Sequence, residues 1–258
     1  NPVLTQIAKT RRILFVEGQD FQILGKVARR LGQNRVSSRA DFAVIPVQGF
    51  SVDRIGSLIS GIQTTLGTPI RAAAILDRDY RSQKECEAIK KGCTAVCHFV
   101  EIHDCKEIEN FLLVPAAIDQ AAKTRLADRE RRGAKSVEYT GRSVDVLEAF
   151  AAASRSYVTA QLLDNAIRFE KQNFPKVHQS TVTQNALEEI NQKWEDPAAR
   201  LRVIPGKDAL SALNKDLQKR FGISVTTTAI VDAMKPAEIP HALRKLIERI
   251  ASFSKLKA

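Results

Sequence analysis

Arg12-Ile13-Leu14-Phe15-Val16-Glu17-Gly18 and Ala72-Ala73-Ala74-Ile75-Leu76-Asp77-Arg78-Asp79 are the stretches whose reading decides the fold. Each is a short apolar run without the alternation of a half-exposed strand, and each ends on acid. Such a run reads as a strand buried on both faces, the environment of a parallel sheet covered by helices. Phe42-Ala43-Val44-Ile45-Pro46-Val47 is a further run of this kind. Thr94 to Val100 is a fourth, in which Cys93 and Cys97 would share one face and His98 would point the other way. Helical patterns lie between the runs, from about Asp20 to Leu31 ending near Gly32, from Val52 to Thr65, and from Ser82 to Lys91 closed by Gly92. The expected fold class is α/β, with a four-stranded, mainly parallel sheet between helices.

Beyond Phe111 the character changes to charged, alanine-rich segments with helical spacing, such as Ala116 to Arg132, Val144 to Arg155 and Tyr157 to Gln172. Polar, basic Arg131 to Thr140 reads as a loop. A short apolar run, Leu201 to Pro205, leads into Gly206-Lys207, a helix from Asp208 to Phe221 closed by Gly222, and a last helix from Pro240 to Phe253. The expected division is an α/β domain over residues 1–113 and a mostly α-helical domain over 114–258. No internal repeat or low-complexity tract interrupts the chain.

A chain of 258 residues with 44% apolar content can bury a real core. No apolar run approaches the roughly 20 residues of a membrane span, and Asn1 to Thr10 lacks the apolar stretch of a secretory signal, so a soluble, cytoplasmic protein without a membrane partner is expected. The chain begins on Asn, and Ile13 already sits in a core strand, so upstream sequence is expected as well. Formal charge is +11, with 16 basic against 12 acidic residues through Asn110 and 24 against 17 beyond it. That excess favours polyanions through counterion release. Arg125 to Lys135 and Lys215 to Arg220 are the densest basic stretches, although such runs are ordinarily solvated faces, and few aromatics lie among them for base stacking. Cys93, Cys97 and Cys105 lie near His98 and His103 and raise zinc as a candidate, but reduced thiols in a core fit the apolar setting better.

In open parallel sheets the functional crevice lies beyond the carboxyl ends of the strands. Glu17 follows the first strand; Asp77 and Asp79 follow the third, and strand periodicity would point both the same way. Gly18 lets the chain turn tightly after Glu17. A lone acid after a strand is ordinarily a cap or turn residue, but three placed at strand ends repel one another unless a cation neutralises them. Mg2+ or Mn2+, two ions in all, would do so through oxygen ligands. Glu107 and Glu109, after the fourth strand, are candidates for completing the second position. Which of them points inward stays open, since a glutamate there also suits a helix cap.

An apolar strand with Glu17-Gly18, followed by one with Asp77-Arg78-Asp79, resembles the TOPRIM fold of topoisomerases, primases and several nucleases. Glu107-Ile108-Glu109-Asn110-Phe111-Leu112-Leu113 is similar to a segment of the overcoming-lysogenization-defect (OLD) family of bacterial and phage nucleases. These motifs span residues 12–113. The resemblance implies a Mg2+-dependent DNA endonuclease whose full-length form places an ATPase domain ahead of this region, and it carries a role in phage defence. This chain holds no Gly-x4-Gly-Lys-Ser/Thr loop, and Pro205-Gly206-Lys207-Asp208 lacks its earlier Gly and its Ser/Thr, so ATP hydrolysis is not expected here. The family pattern puts a second acid four residues after the first Glu, where this chain has Phe21; Asp20, at three, is a ligand candidate that departs from the pattern. The pattern also brings a lysine from the helical part to the site, and Lys207 is its counterpart, placed to balance charge developing on the phosphate. A ribonuclease with the same site and a non-catalytic nucleic-acid-binding module are the alternatives. A topoisomerase would need a nucleophile among Tyr80, Tyr139 and Tyr157. Nicking versus double-strand cleavage turns on oligomeric state, a homodimer being one candidate.

Overall fold

The computed structural model describes residues 2–47 and 52–256, so Asn1 lies outside the described residues. The elements run α1 (Pro2–Thr10), β1 (Arg12–Glu17), α2 (Phe21–Arg30), α3 (Asn34–Ser37), β2 (Ala43–Val47), α4 (Val52–Leu66), β3 (Arg71–Leu76), α5 (Gln83–Cys93) and β4 (Phe99–Ile102). A 3-10 turn (Ile108–Leu112) precedes α6 (Pro115–Arg131), α7 (Ser143–Asn173), α8 (Gln179–Glu195), α9 (Pro197–Val203), α10 (Gly206–Phe221), α11 (Thr227–Ala233) and α12 (His241–Ser254). The chain groups into two compact units. One holds the residues up to Asp77, Cys86–His103 and the stretch from Ile239 on; the other holds Arg78–Glu85 and Asp104–Glu238.

In the first unit the four strands lie in the order β2-β1-β3-β4 and every pairing is parallel. The chain leaves β1 for β2 on one side and returns to β3 on the other, so the order reverses between β1 and β3. Ligand crevices of open sheets form at that reversal, outside the carboxyl ends of the strands. Burial follows the two-residue period. Ile13, Phe15, Ala72, Ala74 and Leu76 pack with Ile55 and Ile59 of α4 and with Cys86 and Cys93 of α5. The alternate residues Leu14, Val16, Ala73 and Ile75 are equally buried, as a sheet covered on both faces requires. On α12, Phe253 meets the edge of Phe99 with ring centroids 5.8 Å apart.

The fourth strand begins five residues later than the apolar run predicts. Gly92 does not stop α5, which continues to Cys93; the chain then turns, with the Thr94 hydroxyl donating to the Lys91 carbonyl (2.7 Å) and the N–H groups of Val96 and Cys97 to the Cys93 carbonyl (3.0 and 2.8 Å). Cys93 is therefore helical, and the strand argument that put it on one face with Cys97 fails. The conclusion about the thiols holds for a different reason. All four cysteines are buried without a disulfide, and burial pushes Cys93 up to about 11 and Cys97 up to about 12, which keeps both as thiols in the core.

In the second unit the two expected helices Val144 to Arg155 and Tyr157 to Gln172 are one helix, α7, of 31 residues and about 46 Å. Ser156 between them is exposed and interrupts nothing. Gly222, at φ +64°, closes α10 in the left-handed conformation. The Arg129 guanidinium donates to the carbonyls of Phe221 (2.7 Å) and Gly222 (3.0 Å), a cation at a helix C-terminus, and Arg131 pairs with Asp128. Part of the basic stretch after Arg125 thus serves the fold. No helix among the described residues is long and apolar enough to cross a membrane.

Candidate metal centre

Register in the first unit sets the site. Val16 pairs with Ile75 and Leu76 with Ile102, so the residues just past β1, β3 and β4 emerge at one end of the sheet. Glu17, half-buried at the end of β1, accepts the Asp77 backbone N–H through Oε2 at 3.1 Å. Gly18 follows at φ +49°, a conformation that favours glycine, and its N–H reaches the Val47 carbonyl at 3.1 Å. Asp20 starts α2, yet its carboxylate makes no capping hydrogen bond there. Instead it joins Asp77 and His103, whose ligand atoms all lie within 4.8 Å of one another. The three are 5%, 4% and 3% exposed, so each carboxylate carries its charge into a poorly solvated place. Two buried carboxylates this close repel as anions, and a divalent cation relieves the repulsion. Two oxygen donors with one imidazole suit Mn2+ and other first-row ions as well as Mg2+.

His103 is the residue missed by the motif reading, which weighed it only as a zinc partner of the cysteines. The signal was present: His103 follows Ile102 at the end of β4 as Asp77 follows Leu76 at the end of β3. Burial pushes its imidazole down to about 4, so it is neutral near pH 7 and offers a lone pair without losing a proton.

The remaining expected residues belong to the second unit. Strand periodicity stops at Leu76, and Asp79 sits at φ +52°, donates its N–H to the Lys106 carbonyl (2.7 Å) and accepts from Arg81 (2.9 Å). The two glutamates separate cleanly. Glu107 Oε1 accepts the Lys207 N–H at 2.7 Å and Oε2 accepts Lys106 Nζ at 2.8 Å, so it anchors the N-terminus of α10, where the dipole favours an anion. Burial opposes its ionisation, but Lys106 and the Lys207 N–H outweigh burial and hold the carboxyl below its ordinary range. Glu109 Oε2 is buried with no hydrogen-bond partner, and burial raises its carboxyl above the usual range. Lys207 Nζ lies 3.8 Å from both carboxylates. Of the pair, Glu109 is the one with an oxygen left to give.

Asn110 ties this arrangement down. Its Oδ1 accepts the Glu107 N–H (3.0 Å), and its Nδ2 donates to the carbonyls of Leu201 (2.7 Å) and Ile204 (2.8 Å). A Cβ at Gly206 would meet the Asn110 backbone nitrogen at 2.9 Å, so glycine is required where α10 begins. Gly206→Ala is expected to lower stability by about 1–3 kcal/mol, read by urea unfolding. A second expectation concerns pH. An unfolded imidazole titrates near 6.5 and the folded one near 4, so the stability held above the higher value drains away as pH falls between the two and levels off below. Comparing metal-free wild type with His103→Asn across that window isolates this component, which the variant should lack.

No protein-family profile and no curated protein matches this sequence. Among solved structures, the chain is similar to the C-terminal region of the Burkholderia pseudomallei OLD protein at 14% identity, covering 95% of this chain and 98% of that one, with a TM-score of 0.44. It is similar to the C-terminal region of the Xanthomonas campestris pv. campestris OLD protein at 13% identity, covering 96% of each, with a TM-score of 0.41.

Proposed function

We propose that this chain is the catalytic region of a divalent-metal-dependent DNA endonuclease, with Glu17, Asp20, Asp77 and His103 as the metal-holding group. The observation that carries the reading is the convergence of buried Asp20, Asp77 and His103 at the carboxyl end of the sheet, where its strand order reverses. A bound Mg2+ or Mn2+ supplies Lewis acidity toward a phosphoryl oxygen and a water acidic enough to attack near neutral pH. Asp20 and Asp77 would hold such an ion as anions and His103 as a neutral donor. Glu17 fixes the end of β3 through the Asp77 N–H, which keeps the carboxylate of Asp77 from drifting along the strand axis. The motif pattern assigns Asp79, one of Glu107 and Glu109, and Lys207 to the same reaction, Lys207 by balancing charge that develops on the phosphate. The same pattern places an ATPase domain upstream in the full-length protein.

Attack by water fits the tyrosines. Burial, the largest influence, pushes the Tyr80 phenol above its ordinary range, the reverse of an activated nucleophile, and the Tyr139 hydroxyl donates to Asp119 at 2.7 Å. The test is incubation of supercoiled plasmid with the chain in EDTA, Mg2+ or Mn2+. Nicking or linearisation with metal is expected, falling by at least about 100-fold in Asp77→Ala, since losing a residue that merely orients a ligand already costs 10–100-fold. Undiminished cleavage by Asp77→Ala would overturn the assignment.

A further inference from the structure

The second unit carries a cavity of about 220 Å3 that meets the motif pattern only at Arg78 and Asp79. Five cations line it, Arg78, Arg81, Lys106, Lys193 and Arg202, against two carboxylates, Asp79 and Asp104; the rest of the wall is aliphatic. The cations come from four separate segments: the turn after β3, the connection after β4, α8 and α9. Helix periodicity on a solvated face does not produce such a set.

The ion pairs around the cavity hold the cations in position. Arg81 pairs with Asp79 (2.9 Å) and reaches Glu85 (3.7 Å), Lys106 pairs with Glu107 (2.8 Å), Arg202 with Asp104 (2.7 Å) and Lys193 with Glu189. Arg78 donates its Nε to the Arg81 carbonyl at 3.1 Å, and no carboxylate pairs with it among the described residues. The Lys106 side chain is only 14% exposed, so its charge is poorly screened by water. A site whose cations are preset, with Arg78 bound to a carbonyl and to no carboxylate among the described residues, gains most from an anion with several acceptor oxygens, which a phosphate group provides. The volume is below the roughly 300–1,000 Å3 of sites that enclose drug-sized ligands, which suits a phosphate with part of its sugar against the aliphatic wall.

We infer that this cavity binds a backbone phosphate of a polynucleotide strand, through Arg78, Arg81, Lys106, Lys193 and Arg202. The choice of a polynucleotide over other phosphates rests on the nuclease reading; the phosphate chemistry does not.

The experiment measures binding without catalysis. A labelled duplex oligonucleotide is titrated with the full chain in EDTA across a salt series, comparing wild type, the Arg78→Ala, Lys193→Ala double variant, and Arg78→Lys. The double variant should weaken binding to every sequence alike and flatten the dependence of log affinity on log salt by about 0.9 for each phosphate it no longer neutralises, while Arg78→Lys keeps most of the slope. Thermal melting of each variant confirms that the fold is kept. An unchanged slope in a folded double variant overturns the proposal. So does loss of inorganic phosphate binding, read by phosphorus NMR, with no change toward the oligonucleotide, because the cavity would then serve free phosphate. The two readings fail separately: a pocket-dependent slope without metal-dependent plasmid cleavage removes the nuclease and keeps the pocket, and intact cleavage with an unchanged slope does the reverse.

Discussion

Parallel pairing of β1 with β3 is the constraint on which the candidate centre depends. Because Val16 pairs with Ile75, the carboxylate of Glu17 reaches the N–H of Asp77 just past the point where the β1–β3 pairing ends. A one-residue slip in that register would exchange the two faces of β1 and unseat Ile13 and Phe15 from the cluster they share with α4 and α5, so the fit of packed side chains holds the register. Packing of apolar residues thereby fixes acids that themselves oppose folding, since each buried carboxylate costs solvation that the chain recovers only when a partner or an ion is present. Stability of the sheet and chemistry at its end are properties of one arrangement.

Much of this was legible in the sequence. Apolar runs without alternation announced strands covered on both faces, and acids at their ends marked the crevice. His103 was hidden by a misplaced boundary: ending β4 at Val100 instead of Ile102 put the histidine in a loop, when it occupies the same position past its strand as Asp77 does past β3. Local patterns misplaced that strand because Cys93 to Cys97 is apolar enough for a strand but is consumed by the end of α5 and its turn. The choice between Glu107 and Glu109 could not be read at all. In the fold the N–H of Lys207, a hundred residues away, engages Glu107 Oε1. Asp20 stood out of step with the family pattern, yet the fold brings it to Asp77 and His103.

Basic charge, the least specific feature of the sequence, divides by role. Arg129 and Arg131 of the stretch after Arg125 are engaged in capping and local pairing. Cations scattered over four segments gather instead around one cavity, where carboxylate partners hold four of them in place and Arg78 is held by a carbonyl. Composition reports the sum of these charges, and only tertiary structure separates those that steady helices from those available to a phosphate.

The most direct test of the central claim is the anomalous scattering of Mn2+ in crystals of this chain. The account predicts a peak bonded to Asp77 and shared with Asp20 or His103, absent from Asp77→Ala crystals grown the same way. Well-diffracting crystals at saturating Mn2+ that show no ion at the carboxyl ends of β1, β3 and β4 would contradict it.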